Sequence, residues 1–268
     1  MKFSKIDYVR PDMDALINAV NNYRQRFDNA KSADEAVEIY LEMTRSFETP
    51  VTMCNIGMTR YYLNTTDEFY NKEREYFDEI LPSLSNAMTD FSKSMLASPY
   101  KEQLKTKLPS IIMLNKELEA KAMSEEIISE KVEEGKLIAE YTNLMSAVEI
   151  EFDGKKLTPS QLGKYMSDSD REIRRKSMEA YGNELNKIKD KIDDIFDRMV
   201  KVRDRMAKKM GYDNYIELGY YQMNRNSYNH EDIKKFREAV KKHIVPAVVK
   251  LKNQVAKNLG IDQLKLYD

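Results

Sequence analysis

The chemistry open to this chain rests on few side chains: two histidines, one cysteine, and a group of tyrosines around one arginine. His230 begins the string His230-Glu231-Asp232-Ile233-Lys234. This comes close to the helical pattern in which two imidazoles one turn apart hold a zinc ion and the glutamate between them acts as general base. Lys234 stands where the second imidazole is needed, so the pattern fails. Glu231 and Asp232 instead suit the positive N-terminus of a helix, with His230 beside them. His243, next to Ile244 and Val245, reads as a partly buried packing residue. Cys54 has no neighbouring histidine in sequence to activate it and reads as structural. On this reading the chain has no catalytic residues and no metal ligands of its own.

Tyr212, Tyr215, Tyr220, Tyr221 and Tyr228 surround Arg225 in the sequence. Hydroxyl donors, flat apolar rings and a guanidinium suit a groove that holds a peptide backbone, and the same spacing also describes half-buried core tyrosines. Tyr220, Arg225 and Tyr228 are the candidate substrate-binding residues.

The elements that must position these groups are almost all helical. Leu16, Val20, Tyr23 and Phe27 predict a helix over 12–30, and Ser32 caps a second helix carrying Ala36, Ile39, Tyr40 and Met43, with a break or restart at Pro50. Asp67 opens a third helix, with a kink expected at Pro82. A further helical stretch from about Tyr100 to Met145 is interrupted near Pro109. Alternation of Val148, Ile150 and Phe152 with Glu149 and Glu151, followed by Asp153-Gly154, predicts one small β-hairpin over 147–157. Asp168-Ser169-Asp170 then caps the longest helix. Its apolar residues Tyr181, Leu185, Ile188, Ile192, Ile195, Met199, Val202 and Met206 recur every three or four residues, a seam expected to pack within the monomer. Gly211 ends that helix, and Gly260 ends a last helix kinked at Pro246. The fold class is all-α, with long antiparallel helices and the one hairpin. The chain divides into an N-terminal helical region over 1–145 and a hairpin-plus-helix region over 146–268.

Composition narrows the function classes. The 44 basic and 45 acidic side chains almost cancel, which removes the broad positive field that nucleic acid or an anionic membrane attracts. No apolar run approaches the roughly 20 residues that span a bilayer. A single cysteine and a Met1–Lys5 start without an apolar stretch point to a cytoplasmic protein.

Two stretches then carry a resemblance. One is Asp170-Arg171-Glu172-Ile173-Arg174-Arg175-Lys176-Ser177-Met178-Glu179-Ala180-Tyr181. The other is Ala207-Lys208-Lys209-Met210-Gly211-Tyr212-Asp213-Asn214-Tyr215-Ile216-Glu217-Leu218-Gly219-Tyr220, continuing to Met223, Arg225 and Tyr228, with Phe236-Arg237 and Ile244-Val245-Pro246 further on. Their order and spacing resemble the oligoendopeptidase F family of zinc peptidases, relatives of thimet oligopeptidase, and the likeness extends to Tyr8-Val9-Arg10-Pro11-Asp12 and Phe152-Asp153-Gly154-Lys155. The resemblance implies an all-α fold around a deep channel, oligopeptide substrates, and a zinc-polarised water with a glutamate as general base. It also implies that the zinc ligands lie in a C-terminal half beyond this sequence. The cofactor is therefore none in this chain and zinc in the complete enzyme. The resemblance makes this chain an inactive N-terminal part, a truncated fragment forming one channel wall and prone to self-association through uncovered apolar surface. The alternative is a free-standing helical binding or scaffold protein.

Overall fold

The computed structural model describes residues 3–268, without the side chain of Ser4, and divides into two units. Of the expected leaderless start, Met1 and Lys2 lie outside the described residues. The first unit takes residues up to Ile138 together with Met199–Ser227, and the second takes Ala139–Arg198 together with Tyr228–Asp268.

Helices of the first unit begin at side chains that hold their free N–H groups. Asp12 caps α1 (Met13–Asp28) by accepting from the Ala15 amide at 2.9 Å. Ser32 caps α2 (Ala33–Ser46) through the Glu35 amide, and Asp67 caps α4 (Glu68–Ala97) through the amides of Phe69 and Tyr70. Between them, Phe47 joins α2 to α3 (Glu48–Leu63), and Pro50 falls in the first turn of α3, where its missing N–H has no partner to lose. Helix α4 runs through Pro82 as a single element. Pro82 is buried against neighbours on α4's packed side, and tertiary packing outweighs the one lost backbone bond. Phe77, Phe91 and Met95 of α4 are fully buried with Val20 and Leu16 of α1 and Ile39 and Met43 of α2, and the rings of Phe27 and Phe91 lie 5.2 Å apart.

Beyond α4 come α5 (Lys101–Lys107) and α6 (Ser110–Ala122), separated near Pro109 as the sequence predicts. A second interruption at Met123 and Ser124, both extended, precedes α7 (Ile128–Ser146) and carries no glycine or proline signal. Its cause is long-range: Met123 and Ile127 leave the helical path to pack with Met206, Ala207 and Leu218.

The second unit contains the hairpin of β1 (Ile150–Phe152) and β2 (Lys155–Leu157), which pairs Ile150 with Leu157 and Phe152 with Lys155. Asp153 and Gly154 both take positive φ, 53° and 66°, the pairing a tight two-residue turn needs. Alternation puts Ile150 and Leu157 on the inner face, where they meet Val148 and Leu162. Thr158 and Gln161 form a reciprocal cap on α8 (Pro159–Met166). The 39-residue α9 (Arg171–Lys209) contributes its first part to this unit and its last part to the first unit. It ends at Gly211, φ 80°, with the Tyr212 amide bonded to the Ala207 carbonyl at 2.9 Å.

Along the α9 seam, Ile195, Val202 and Met206 are buried, while Tyr181, Leu185, Ile188, Ile192 and Met199 are half-buried. A carboxylate placed at Val202 (0% exposed) would be unpaired and dry. Val202→Asp is expected to lower stability by about 3 kcal/mol or more, and Ile192→Asp by less. Thermal unfolding checks both, and a Val202→Asp protein melting with its parent would show that the seam is not packed within the monomer.

Buried charges tie elements together. Glu73 of α4 accepts hydrogen bonds from the Tyr8 hydroxyl and from Arg10, fastening the residues before α1 onto α4. On α7, Glu130 meets Lys209, and Glu134 meets Lys131 and, at 2.7 Å, Arg203. Burial pushes each of these carboxyls up, but the cationic partners outweigh it and hold all three below the ordinary range. Asp78 goes the other way, raised by burial despite Arg74. A carboxylate whose pKa is depressed by folding stabilises the fold above its unfolded value, about 4.3 for Glu, and loses that contribution as pH falls through the folded value. The urea midpoint should therefore fall below about pH 4.3. Glu134→Gln should shrink that fall, and an identical pH profile in the variant would exclude Glu134 as a contributor.

Candidate functional site

The tyrosine-rich segment forms α10 (Tyr215–Gln222) in the first unit, capped by the Asn214 side chain on the Ile216 amide at 2.9 Å. Its tyrosines divide by role. Tyr212 donates its hydroxyl to the Lys121 carbonyl at 2.9 Å, Tyr215 donates to Gln222 at 2.8 Å, and both rings pack beside Leu218 and Met206. These two are core-facing anchors. The Gln222 amide in turn donates to the Ala122 carbonyl at 3.2 Å, so α10 is pinned to the end of α6.

The end of α10 explains how two of the candidate residues meet. Asn224 takes a left-handed conformation, φ 51°, and the Arg225 amide reaches back to the Tyr220 carbonyl at 3.2 Å. That is the helix-ending geometry usually supplied by glycine, with asparagine as its commonest substitute. Turning the chain back brings the Arg225 guanidinium over the Tyr220 ring, 4.5 Å from its centre, and both side chains are half-buried. Tyr228 falls in the second unit and is 44% exposed.

A cleft of about 240 Å³ lies beside α10. Ser85 and Thr89 of α4, Glu119 of α6 and Lys131 of α7 line it with Tyr221, Gln222 and Asn224. A second hollow of about 260 Å³ shares Ser85, Met123 and Lys131 with the first and extends past Pro82, Asp78 and Gly135. Together they make a groove along α4 within the first unit. Its charged walls are already paired: Glu119 accepts from Lys116 and Ser92, each at 2.8 Å, and Lys131 donates to Glu134 at 2.6 Å. The Tyr221 proton is held by a hydrogen bond to Glu217 and by burial, which raise its pKa to about 12, so at neutral pH it is a donor and not a base. Such a groove can bind a polar chain. It contains no nucleophile paired with a base.

Tyr221, Gln222 and Asn224 were not among the sequence candidates. Asn224 carried a local signal, an asparagine just past an amphipathic stretch, whereas Ser85 and Thr89 reach the groove only through the fold. The histidines stay apart from it. His230 is the first residue of α11 (His230–Ala239), whose cap is Asn229 with Asp232 in a reciprocal box. His243 is exposed where the sequence predicts partial burial, because its helix has little packed against it. Cys54 is half-buried and burial pushes its thiol up, away from the reactive thiolate. Among the described residues no three His, Cys, Asp or Glu side chains gather as metal ligands, and no helix is long and apolar enough to cross a membrane.

Comparison with known proteins adds what geometry alone leaves open. The Peptidase M3 N-terminal domain matches residues 3–123 and Peptidase family M3 matches residues 164–268. No curated protein matches. Among solved structures, one from Bacillus anthracis named for oligoendopeptidase F is 32% identical, with a TM-score of 0.94 over 100% of this chain and 49% of that one. PZ peptidase A, in a structure with an inhibitor, is 35% identical, with a TM-score of 0.95 over 100% of this chain and 48% of that one. A further structure named for oligoendopeptidase F is 30% identical at a TM-score of 0.95, over 100% of this chain and 47% of that one. The chain thus spans about half the length of the relatives it matches. With both family models and a whole-chain structural match in agreement, the chain belongs to peptidase family M3 and corresponds to an N-terminal portion of it.

Proposed function

We propose that this chain is the N-terminal helical part of a cytoplasmic, zinc-dependent oligoendopeptidase that hydrolyses peptide bonds in short peptides. It forms one wall of the channel that admits them. The observation that carries this reading is the match of the entire chain to structures named for oligoendopeptidase F, at 30–32% identity and TM-scores of 0.94–0.95. A hydrolase of this kind needs three protein ligands for its metal and a place for water. The described residues do not offer that set, so the zinc ligands are assigned to the part of the relatives that this chain does not span.

Peptide contacts are assigned to Tyr220, Arg225 and Tyr228. The stacked guanidinium of Arg225 keeps its donors in a fixed plane, suited to a peptide carbonyl or terminal carboxylate, and the tyrosines supply flat apolar surface with a hydroxyl at the edge.

Two measurements test the assignment. Calorimetric zinc titration and a quenched fluorescent peptide assay are expected to show neither tight stoichiometric zinc nor cleavage with this chain, and both with a chain that also contains the second half. Chelator-sensitive cleavage by this chain alone would overturn it, and peptide binding that never becomes hydrolysis in the longer chain would favour the scaffold reading. In that longer chain, Arg225→Ala should raise KM by roughly tenfold with little change in kcat, the signature of lost uniform binding. An unchanged KM would remove Arg225 from the substrate contacts.

A further inference from the structure

The least covered element of the second unit is its last long helix. Helix α11 continues through a π-helical turn, Val240–Ile244, into α12 (Val245–Leu259), and from His230 to Leu259 only Ala256 is buried. Ile244, Val248, Leu251, Val255 and Leu259 follow steps of four, three, four and four residues, one stripe along the helix. They are between 37% and 63% exposed. The other side of α12 is held. Residues after Gly260 fold back so that Asp262, Gln263 and Leu264 face Val249 and Ala256 across a small hollow. The chain end is tied to α9 by Arg171 on Asp268 and by Arg174 on the Tyr267 carbonyl at 2.5 Å. The helix is therefore anchored along one edge and open along an apolar stripe, the arrangement expected of a docking surface.

Charge selects the occupant. From Arg237 to Leu259 this helix carries Arg237, Lys241, Lys242, Lys250, Lys252 and Lys257 against the single Glu238, although the whole chain carries 44 basic and 45 acidic side chains. Two copies packed stripe to stripe would bring like charges together, which costs affinity. An apolar helical face flanked by acidic side chains fits instead. The M3 relatives possess about as much chain again as the part matched here, since this chain covers 49% and 48% of them. We propose that the open stripe of α12 is the seat of the remaining half of an M3 peptidase, which presents to it an apolar helical face with acidic flanks. The proposal rests on the peptidase reading above and names the surface through which the two halves join.

The test uses this chain and, as probe, the fluorescently labelled second half of the Bacillus anthracis relative, the half that this chain does not match. Titration is expected to show saturable one-to-one binding, with slowed hydrogen exchange over 244–259. Leu251→Asp with Val255→Asp should weaken binding at least tenfold while leaving the melting temperature unchanged, because both side chains are exposed. Four outcomes overturn the proposal: no binding; equal binding by the double variant; a dimer of this chain whose 244–259 segment is protected without the probe; or protection by phosphatidylglycerol vesicles and not by the probe. Failure of the peptidase reading looks different. A stripe-dependent complex that cleaves no peptide with zinc present leaves the docking surface intact and removes the peptidase, whereas cleavage indifferent to the double variant removes only the docking surface.

Discussion

A carboxylate withdrawn from water costs several kcal/mol unless other groups replace its hydration, and Glu73, 1% exposed on α4, is such a group. Its replacements are the Tyr8 hydroxyl and the Arg10 guanidinium, supplied by the short segment before α1. Satisfying one buried charge thus dictates where the chain enters the fold. The Tyr8 ring then stands edge-on to Phe69 and Tyr70 and presses so close to α3 that a Cβ on Gly57 would come within 3.1 Å of it. Arg60 completes the clasp by donating to the Ile6 carbonyl and to the Tyr70 hydroxyl. With the entry segment fastened, α4 is covered by α1 and α3, and α6 packs against it as well. The groove beside α10 follows from that arrangement, since α4 supplies its floor.

The same logic recurs where α7 meets the end of α9. Glu130 and Glu134 sit on the inner side of α7, and Lys209 and Arg203 of α9 reach them. Apolar packing of Met123, Ile127, Met206 and Leu218 supplies the attraction without direction. The paired charges supply direction, because only one register of the two helices leaves no carboxylate dry and alone. Arg203 also lies over the Tyr215 ring, 5.3 Å from its centre, so the register of α9 helps to set the position of α10 and with it the Tyr220–Arg225 pair.

Local chemistry was legible in the sequence, and long-range packing was not. Asp12, Ser32 and Asp67 could be assigned as helix starts because a cap needs only its own next three residues. Asp153-Gly154 gave away the hairpin because both positions must tolerate positive φ. The interruption at Met123 had no such mark, since its cause is a cluster assembled from residues 123 to 218. Of the candidate peptide contacts, the Tyr220–Arg225 pair was accessible from spacing alone, as both belong to one helix end. The groove lined by Ser85, Thr89 and Lys131 was not, for it joins residues of different helices.

The π-helical turn before Pro246 has a consequence for how this helix keeps time. Proline cannot donate to the carbonyl four residues back, and its ring crowds that carbonyl. The turn widens instead, and the Val245 amide bonds to Val240, five residues back. One extra residue is thereby absorbed without ending the helix. It acts as a phase correction: three successive steps of four, Phe236 to Val240 to Ile244 to Val248, run ahead of a 3.6-residue period, and the wider turn takes up the surplus. Removing a single residue from 240–244 would leave a regular helix of nearly the same length. It would keep Leu251, Val255 and Leu259 in line with Phe236, because the surplus residue and the wide turn that absorbs it vanish together, whereas the same deletion in the regular stretch after Pro246 would swing everything beyond it by about 100°.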